Sequence, residues 1–188
     1  MKKMILIVLG AILIIFGLLV PLTTTVVTFL LPETFAATAL IAPANHLMSV
    51  TTEVQKIQSH AVLDRVITDL KLGEEWGRKY KQPNALSLDR CFVILQAMTK
   101  VSEQPNTALI QIRAFSENKD EAAIIANKIA DVYRSSSPGA TVIESAEPNS
   151  KPVRPNKPLN IVLGLLVGAI FAGFGIFLIT VARKSKPS

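Results

Sequence analysis

The sequence predicts an α+β fold, a small extracytoplasmic domain carried between two transmembrane helices. Three observations predict it. Met4 to Val20 is seventeen residues without a polar side chain, preceded by Lys2 and Lys3. Ile161 to Ile179 is nineteen residues without a charged or hydrogen-bonding side chain, about 28 Å of helix against a hydrocarbon core of roughly 30 Å. Between them, about 127 residues from Pro32 to Pro158 alternate between period-two and helical apolar patterns, long enough for one small core.

The boundaries follow from composition. Residues 1–31 hold a basic N-terminus and the first span; Pro21 and three threonines there separate Met4 to Val20 from a second apolar run, Val26 to Leu31. Ala37-Thr38-Ala39 has the small-x-small form of a signal-peptidase site, but it lies far beyond the apolar run and inside an alternating stretch, so an uncleaved anchor is expected. Residues 32–147 form the domain, 148–158 a proline-rich joint, 159–182 the second span and 183–188 a basic tail.

Charge sets the expected orientation. All fourteen acidic residues and fifteen of the twenty Lys and Arg fall between Pro32 and Pro158, so of the formal net charge of +6 the loop carries +1 and the two tails the rest. Basic tails stay in the cytoplasm and a loop of this length crosses largely regardless of its charge. Both termini are therefore expected inside and the domain outside. The high isoelectric point reads as a topology signal, and no nucleic-acid partner is expected. Lys151, Arg154 and Lys157 sit at the outer face of the second span, as snorkelling interface residues or as contacts for anionic headgroups or an acidic polymer.

Within the domain, Thr34 to Ala42 reads as a first strand ending at Pro43. Thr52 and Gln55 have capping-box spacing. Val54, Ile57 and Ala61, then Val62, Leu63, Val66, Ile67 and Leu70, mark a helix that breaks near Ser59 and His60. Gly73 to Asn84 reads as a short helix or loop docking Trp76 and Tyr80 onto the core. Leu86 to Met98 follows as a helix, and Thr99 to Glu103 with Thr107 to Phe115 as a hairpin. Ser116 or Asn118 caps a helix whose Ala122, Ala126, Ile129, Ala130 and Tyr133 share a face. Ala140 to Ala146 is a last strand, expected beside the first.

Two features stand out. Pro148, Pro152, Pro155 and Pro158 are spaced by four, three and three residues; the last three follow the polyproline II period, and no α-helix can propagate through them. Gly164, Gly168 and Ala172 recur every four residues, a stripe that allows close helix contact in lipid, with Ala169 and Gly173 as a neighbouring one. The partner of the stripe is either the first span, through Gly10 and Gly17, or another copy.

The patterns of catalysis are missing. His46 and His60 lack zinc-ligand spacing, and there is no phosphate-binding glycine loop, nucleophile elbow or carboxylate pair in an apolar setting. Glu74-Glu75 and Asp120-Glu121 sit where acids favour a helix dipole. The protein is expected to be no enzyme, with no catalytic, cofactor-binding or metal residue and no cofactor. Cys91 is alone, so packing must hold the domain.

The proline run ending in Pro-Asn-Lys-Pro-Leu-Asn before a glycine-rich span resembles the polysaccharide co-polymerase family, the chain-length determinants of bacterial O-antigen, capsule and exopolysaccharide. So do Thr34 to Ala42; Thr52-Glu53 through Leu70 to Leu72 with Trp76-Gly77; and Ile110-x-Ile112 leading to Glu121 to Asn127 and Tyr133. The resemblance implies an α+β base domain, homo-oligomerisation in the bacterial cytoplasmic (inner) membrane, and a scaffold that sets the length of a lipid-linked polysaccharide, such as that of lipopolysaccharide, made by a separate polymerase. The long helical arm of many members is missing between Tyr133 and the last strand, where only Arg134 to Gly139 intervene. That raises a second expectation, an adaptor for a cytoplasmic tyrosine kinase on a separate chain, met by Arg183 to Ser188. A membrane-anchored binding or sensor domain is the third.

Overall fold

A computed structural model describes residues 2–43 and 50–184. His46 and the tail beyond Lys184 lie outside the described residues. The chain divides into two compact units, one of Met1–Glu33 with Arg154–Ser188 and one of Thr34–Val153.

The first unit is a pair of long helices, α1 (Lys2–Leu30) and α7 (Lys157–Lys184). Both are long and apolar enough to cross a membrane, and with one near each end of the chain they fit a two-span membrane protein. α1 runs through Pro21 and joins the two apolar runs in one helix. The threonines after it hydrogen-bond back into the same helix. The hydroxyls of Thr23, Thr25 and Thr28 donate back to the carbonyls of Leu19, Pro21 and Thr24 at 2.7–2.9 Å, and that of Thr24 donates to Val20 O. These back-bonds satisfy the hydroxyls within the helix, while the carbonyl that Pro21 leaves without its N–H donor is that of Gly17.

The second unit is a four-stranded antiparallel sheet of β1 (Phe35–Ala42), β2 (Thr99–Glu103), β3 (Ile110–Ser116) and β4 (Thr141–Glu144), in the order β2-β3-β1-β4. The first and last strands pair as expected, Ile41 opposite Val142. Alternation decides the faces. Ala37, Ala39, Ile41, Ile110, Ile112, Ala114 and Val101 are buried, while Thr38, Leu40, Gln111, Arg113 and Ser102 are only half-buried.

Five helices build the rest of this core: α2 (Val50–Ile57), α3 (His60–Asp69), α4 (Leu72–Lys79), α5 (Leu88–Met98) and α6 (Lys119–Ser136). The break expected near Ser59 and His60 falls at Gln58 and Ser59. Thr52 is no cap, because it stands inside α2, which already includes Val50. Asn118 caps α6, accepting from the Asp120 N–H, and Ser116 supports it by accepting from the Asn118 N–H. The helical face read from the sequence, Ala122, Ala126, Ile129, Ala130 and Tyr133, is fully buried.

Trp76 docks as expected, at 1% exposure, and its indole N–H donates to Glu121 Oε1 at 2.9 Å. Tyr80 does not. It is the C-cap of α4 and remains 46% exposed, because the helix ends there and turns its ring away from the core. Cys91 is fully buried, which pushes its thiol pKa up.

Polar contacts lock the helices together. The Tyr133 hydroxyl on α6 donates to the buried Glu53 Oε2 on α2 at 2.7 Å. Lys128 on α6 reaches Asp69 on α3 at 2.8 Å, and this hydrogen bond holds the Asp69 carboxyl below its usual range.

Candidate functional site

The motif that carried the resemblance, Pro155-Asn156-Lys157-Pro158-Leu159-Asn160, opens α7, and each polar side chain in it has a task. Asn156 precedes the helix and accepts the Leu159 N–H on its Oδ1 at 3.2 Å, an N-cap. Lys157 is the first helical residue, and its Nζ meets Glu33 Oε1 at 2.7 Å and lies 5.2 Å from the centre of the Phe29 ring. The Asn160 amide donates to Thr28 Oγ1 at 3.3 Å, where Thr28 is 2% exposed. A charge pair, a cation over an aromatic ring and an amide therefore tie the start of α7 to the end of α1.

The four prolines divide by place. Pro148 and Pro152 belong to the unit of the sheet, Pro155 and Pro158 to that of the helices. Pro148, Pro152 and Pro155 lie in non-helical chain that bends at Ser150, Lys151 and Pro155, and the Asn149 Oδ1 accepts the Lys151 N–H at the first bend. Pro158 stands in the first turn of α7, where the missing N–H would have no intrahelical partner in any case. The Arg154–Pro155 peptide is cis.

Upstream, the joint is anchored by α6. The Asn127 side chain makes both hydrogen bonds that a neighbouring strand would make to Ala146: its Oδ1 accepts the Ala146 N–H at 2.7 Å and its Nδ2 donates to the Ala146 carbonyl at 2.9 Å. This is why β4 stops at Glu144 and not at Ala146. Further on, the Val153 N–H donates to Thr34 O at 2.8 Å, so the segments entering and leaving the domain are held side by side.

Of the small residues, Gly164 and Gly168 are buried, and both face α1 of the same chain. A methyl added at Gly164 would lie 2.7 Å from Thr24 Oγ1, and one at Gly168 would collide with Gly17 O and approach Pro21 Cδ at 2.9 Å. Ala172 packs on Gly17, whose own added methyl would meet the Ala172 N at 2.8 Å. Gly173, on the neighbouring stripe, has nothing within 4 Å.

One position was missed from the sequence, Gly175, where a methyl would lie 2.5 Å from Gly10 O. The contacts Gly10–Gly175 and Gly17–Gly168 thus repeat every seven residues along two antiparallel helices. The four-residue spacing drew attention to the right side of α7, but the seven-residue spacing of Gly10 and Gly17 was the signal for Gly175.

The chain has distant relatives among known proteins. It matches no protein-family model. Over 138 residues, 70% of the chain, it is 29% identical to the capsular polysaccharide biosynthesis protein CapA of Staphylococcus aureus strain COL, and to that of strain MW2. It is 28% identical over the same length to that of strain MRSA252. The chain is a distant homologue of capsular polysaccharide biosynthesis proteins. Its match covers 56% of the length of each of these relatives. Two candidate membrane helices and this similarity fit a two-span membrane protein distantly related to capsular polysaccharide biosynthesis proteins.

Proposed function

We infer that the protein is a non-catalytic membrane scaffold that oligomerises, works beside a separate polymerase and regulates the chain length of a surface or secreted polysaccharide carried on a lipid. The observation that carries this reading is the similarity to capsular polysaccharide biosynthesis proteins over 70% of the chain. It is supported by an α+β domain held between two spans, with the Pro-Asn-Lys-Pro-Leu-Asn segment built into the first turn of the second. On this reading both termini lie in the cytoplasm and the domain outside, which the basic ends support.

On this reading Pro148, Pro152, Pro155 and Pro158 set the direction in which the domain leaves the membrane. The packed pair of α1 and α7 gives each copy a fixed footing. The test is the length distribution of the polysaccharide, resolved on a gel, from cells lacking the protein and from cells carrying Pro152→Ala with Pro155→Ala. A preferred length that collapses into a featureless spread supports the reading, and an unchanged distribution overturns it.

A second reading is favoured by one feature of the domain. Only Ser137 to Ala140 separate α6 from β4, so no helical arm is inserted there to measure a growing chain. The corresponding role is that of an adaptor that activates a cytoplasmic tyrosine kinase in capsule or exopolysaccharide export, through Arg183, Lys184 and the residues after them. Tyrosine phosphorylation of the partner, lost on Arg183→Ala with Lys184→Ala while polymer length is kept, would distinguish it.

A further inference from the structure

The sheet has one face filled by the core and one that is not. On the second face Lys100 of β2 stands directly opposite Arg113 of β3, which stands directly opposite Thr38 of β1. Side chains opposite one another in an antiparallel pair have Cβ atoms about 5 Å apart, and like charges in that relation are destabilising. Among the described residues neither cation has a carboxylate within ion-pair distance, although six other ion pairs form in the chain. Of the carboxylates on the flanking strands, Glu103 stands opposite the core residue Ile110, and Glu144 stands opposite Leu40 on the same face, one row from Arg113 and without an ion pair to it.

The Arg113 guanidinium is also held in place by neutral groups. Its Nε donates to Thr38 Oγ1 at 3.3 Å, and one terminal nitrogen donates to Gln111 Oε1 at 3.4 Å. Ser102 lies opposite Gln111 in the next row. Arg113 is only half-buried and Lys100 is exposed. The face thus offers two cations side by side, among a hydroxyl pair and an amide, over two strand spacings or about 10 Å.

We propose that this row, Lys100, Arg113 and Thr38 with Gln111 and Ser102, binds an acidic sugar of the polysaccharide. The inference rests on the reading above and adds the class of ligand. A carboxylate or phosphate on the sugar neutralises the two opposed cations, and the planar guanidinium is suited to take such an oxyanion through two hydrogen bonds. Thr38, Ser102 and Gln111 both donate and accept, which matches the hydroxyls of a sugar ring.

The test uses the full-length protein in lipid nanodiscs with neutral headgroups. The probes are a uronic-acid oligosaccharide and a neutral glucose oligosaccharide of equal length, with binding read by calorimetry. The acidic probe is expected to bind and the neutral one to bind at least tenfold more weakly. Arg113→Gln and Lys100→Gln should each weaken the acidic probe fivefold or more, Arg113→Lys less, and Lys119→Gln, at the start of α6, not at all. The thermal unfolding midpoint of each variant shows that the domain is intact.

Equal binding of both probes, no binding of the acidic probe, or binding indifferent to Arg113 and Lys100 would each overturn the proposal. So would loss of acidic-probe binding when the neutral nanodisc lipid is replaced by an anionic one, together with no effect of Arg113→Gln in neutral nanodiscs, which would assign the cations to lipid headgroups. The scaffold reading fails separately. If Arg113→Gln loses the acidic probe while polymer length in cells does not respond to deletion of the protein, the sugar site stands and the length-control reading falls.

Discussion

Gly17 and Gly168 meet backbone to backbone. A methyl built on Gly17 would lie 2.7 Å from the Gly168 carbonyl oxygen, and one on Gly168 would overlap the Gly17 carbonyl oxygen. That oxygen is the one Pro21 leaves without its usual i+4 donor, since proline has no N–H. The Cα–H of Gly168 points at it, and such weak Cα–H···O contacts recur where helices approach closely. Proline in one helix and glycine in the other are thus complementary.

Gly168→Ala should therefore separate the helices. Inserting a methyl against backbone costs typically about 1–3 kcal/mol, read as a lower midpoint in detergent-induced unfolding of the full-length protein. Gly173→Ala, where nothing lies within 4 Å, should be neutral or slightly stabilising, because alanine is the better helix former by about 1 kcal/mol. Equal losses at both positions would show that the paired glycines have no special role.

Asn127 and Ala146 make the second specific junction. Replacing Asn127 by Ala removes the partner of a buried backbone N–H and carbonyl together. The expected loss is about 1–3 kcal/mol, with faster hydrogen exchange at Ala146 and the residues leading to Pro148. Asn127→Asp keeps an acceptor for the Ala146 N–H but no donor for its carbonyl, so it should fall between the two. Exchange unchanged in Asn127→Ala would mean that the joint is fixed by other contacts.

Much of this was legible in the sequence, and the parts that were not share a cause. Strand alternation in Ile110 to Phe115 and the apolar face of α6 report short-range burial, which a period of two or 3.6 captures directly. Gly175 was passed over because its meaning depends on Gly10, 165 positions away. Asn127, Lys157 and Asn160 looked like ordinary polar residues. Their partners Ala146, Glu33 and Thr28 are set by tertiary pairing, and no local pattern encodes it.

Tyr133 makes stability depend on alkaline pH. Burial, reinforced by the hydrogen bond to Glu53, raises its pKa well above the ordinary value, about 10 for an unperturbed tyrosine. A group whose pKa is higher in the folded state contributes stability that is complete below its unfolded pKa and is lost as pH rises toward the folded value. Unfolding midpoints should therefore fall as pH passes roughly 10. Tyr133→Phe should flatten that fall, while lowering stability at neutral pH by about 1–3 kcal/mol because Glu53 loses its buried donor. A variant with the same alkaline slope as the wild type would assign the pH dependence to another group.

The antiparallel contacts Gly10–Gly175, Gly17–Gly168 and Thr24–Gly164 put the first turn of α1 and the last turn of α7 at one end of the helix pair. Arg183 and Lys184 in that last turn then lie at the end where Lys3 begins α1, and the positive-inside rule assigns this end to the cytoplasm. Thr107, in the exposed turn between β2 and β3, should lie on the opposite side. In a Cys91→Ser background, Thr107→Cys should react with a membrane-impermeant maleimide on intact spheroplasts, and Lys184→Cys only after permeabilisation. Labelling of Lys184→Cys in place of Thr107→Cys in intact spheroplasts would reverse the orientation. Labelling of both would mean that α7 does not span the membrane, since a spanning helix leaves its two ends on different sides.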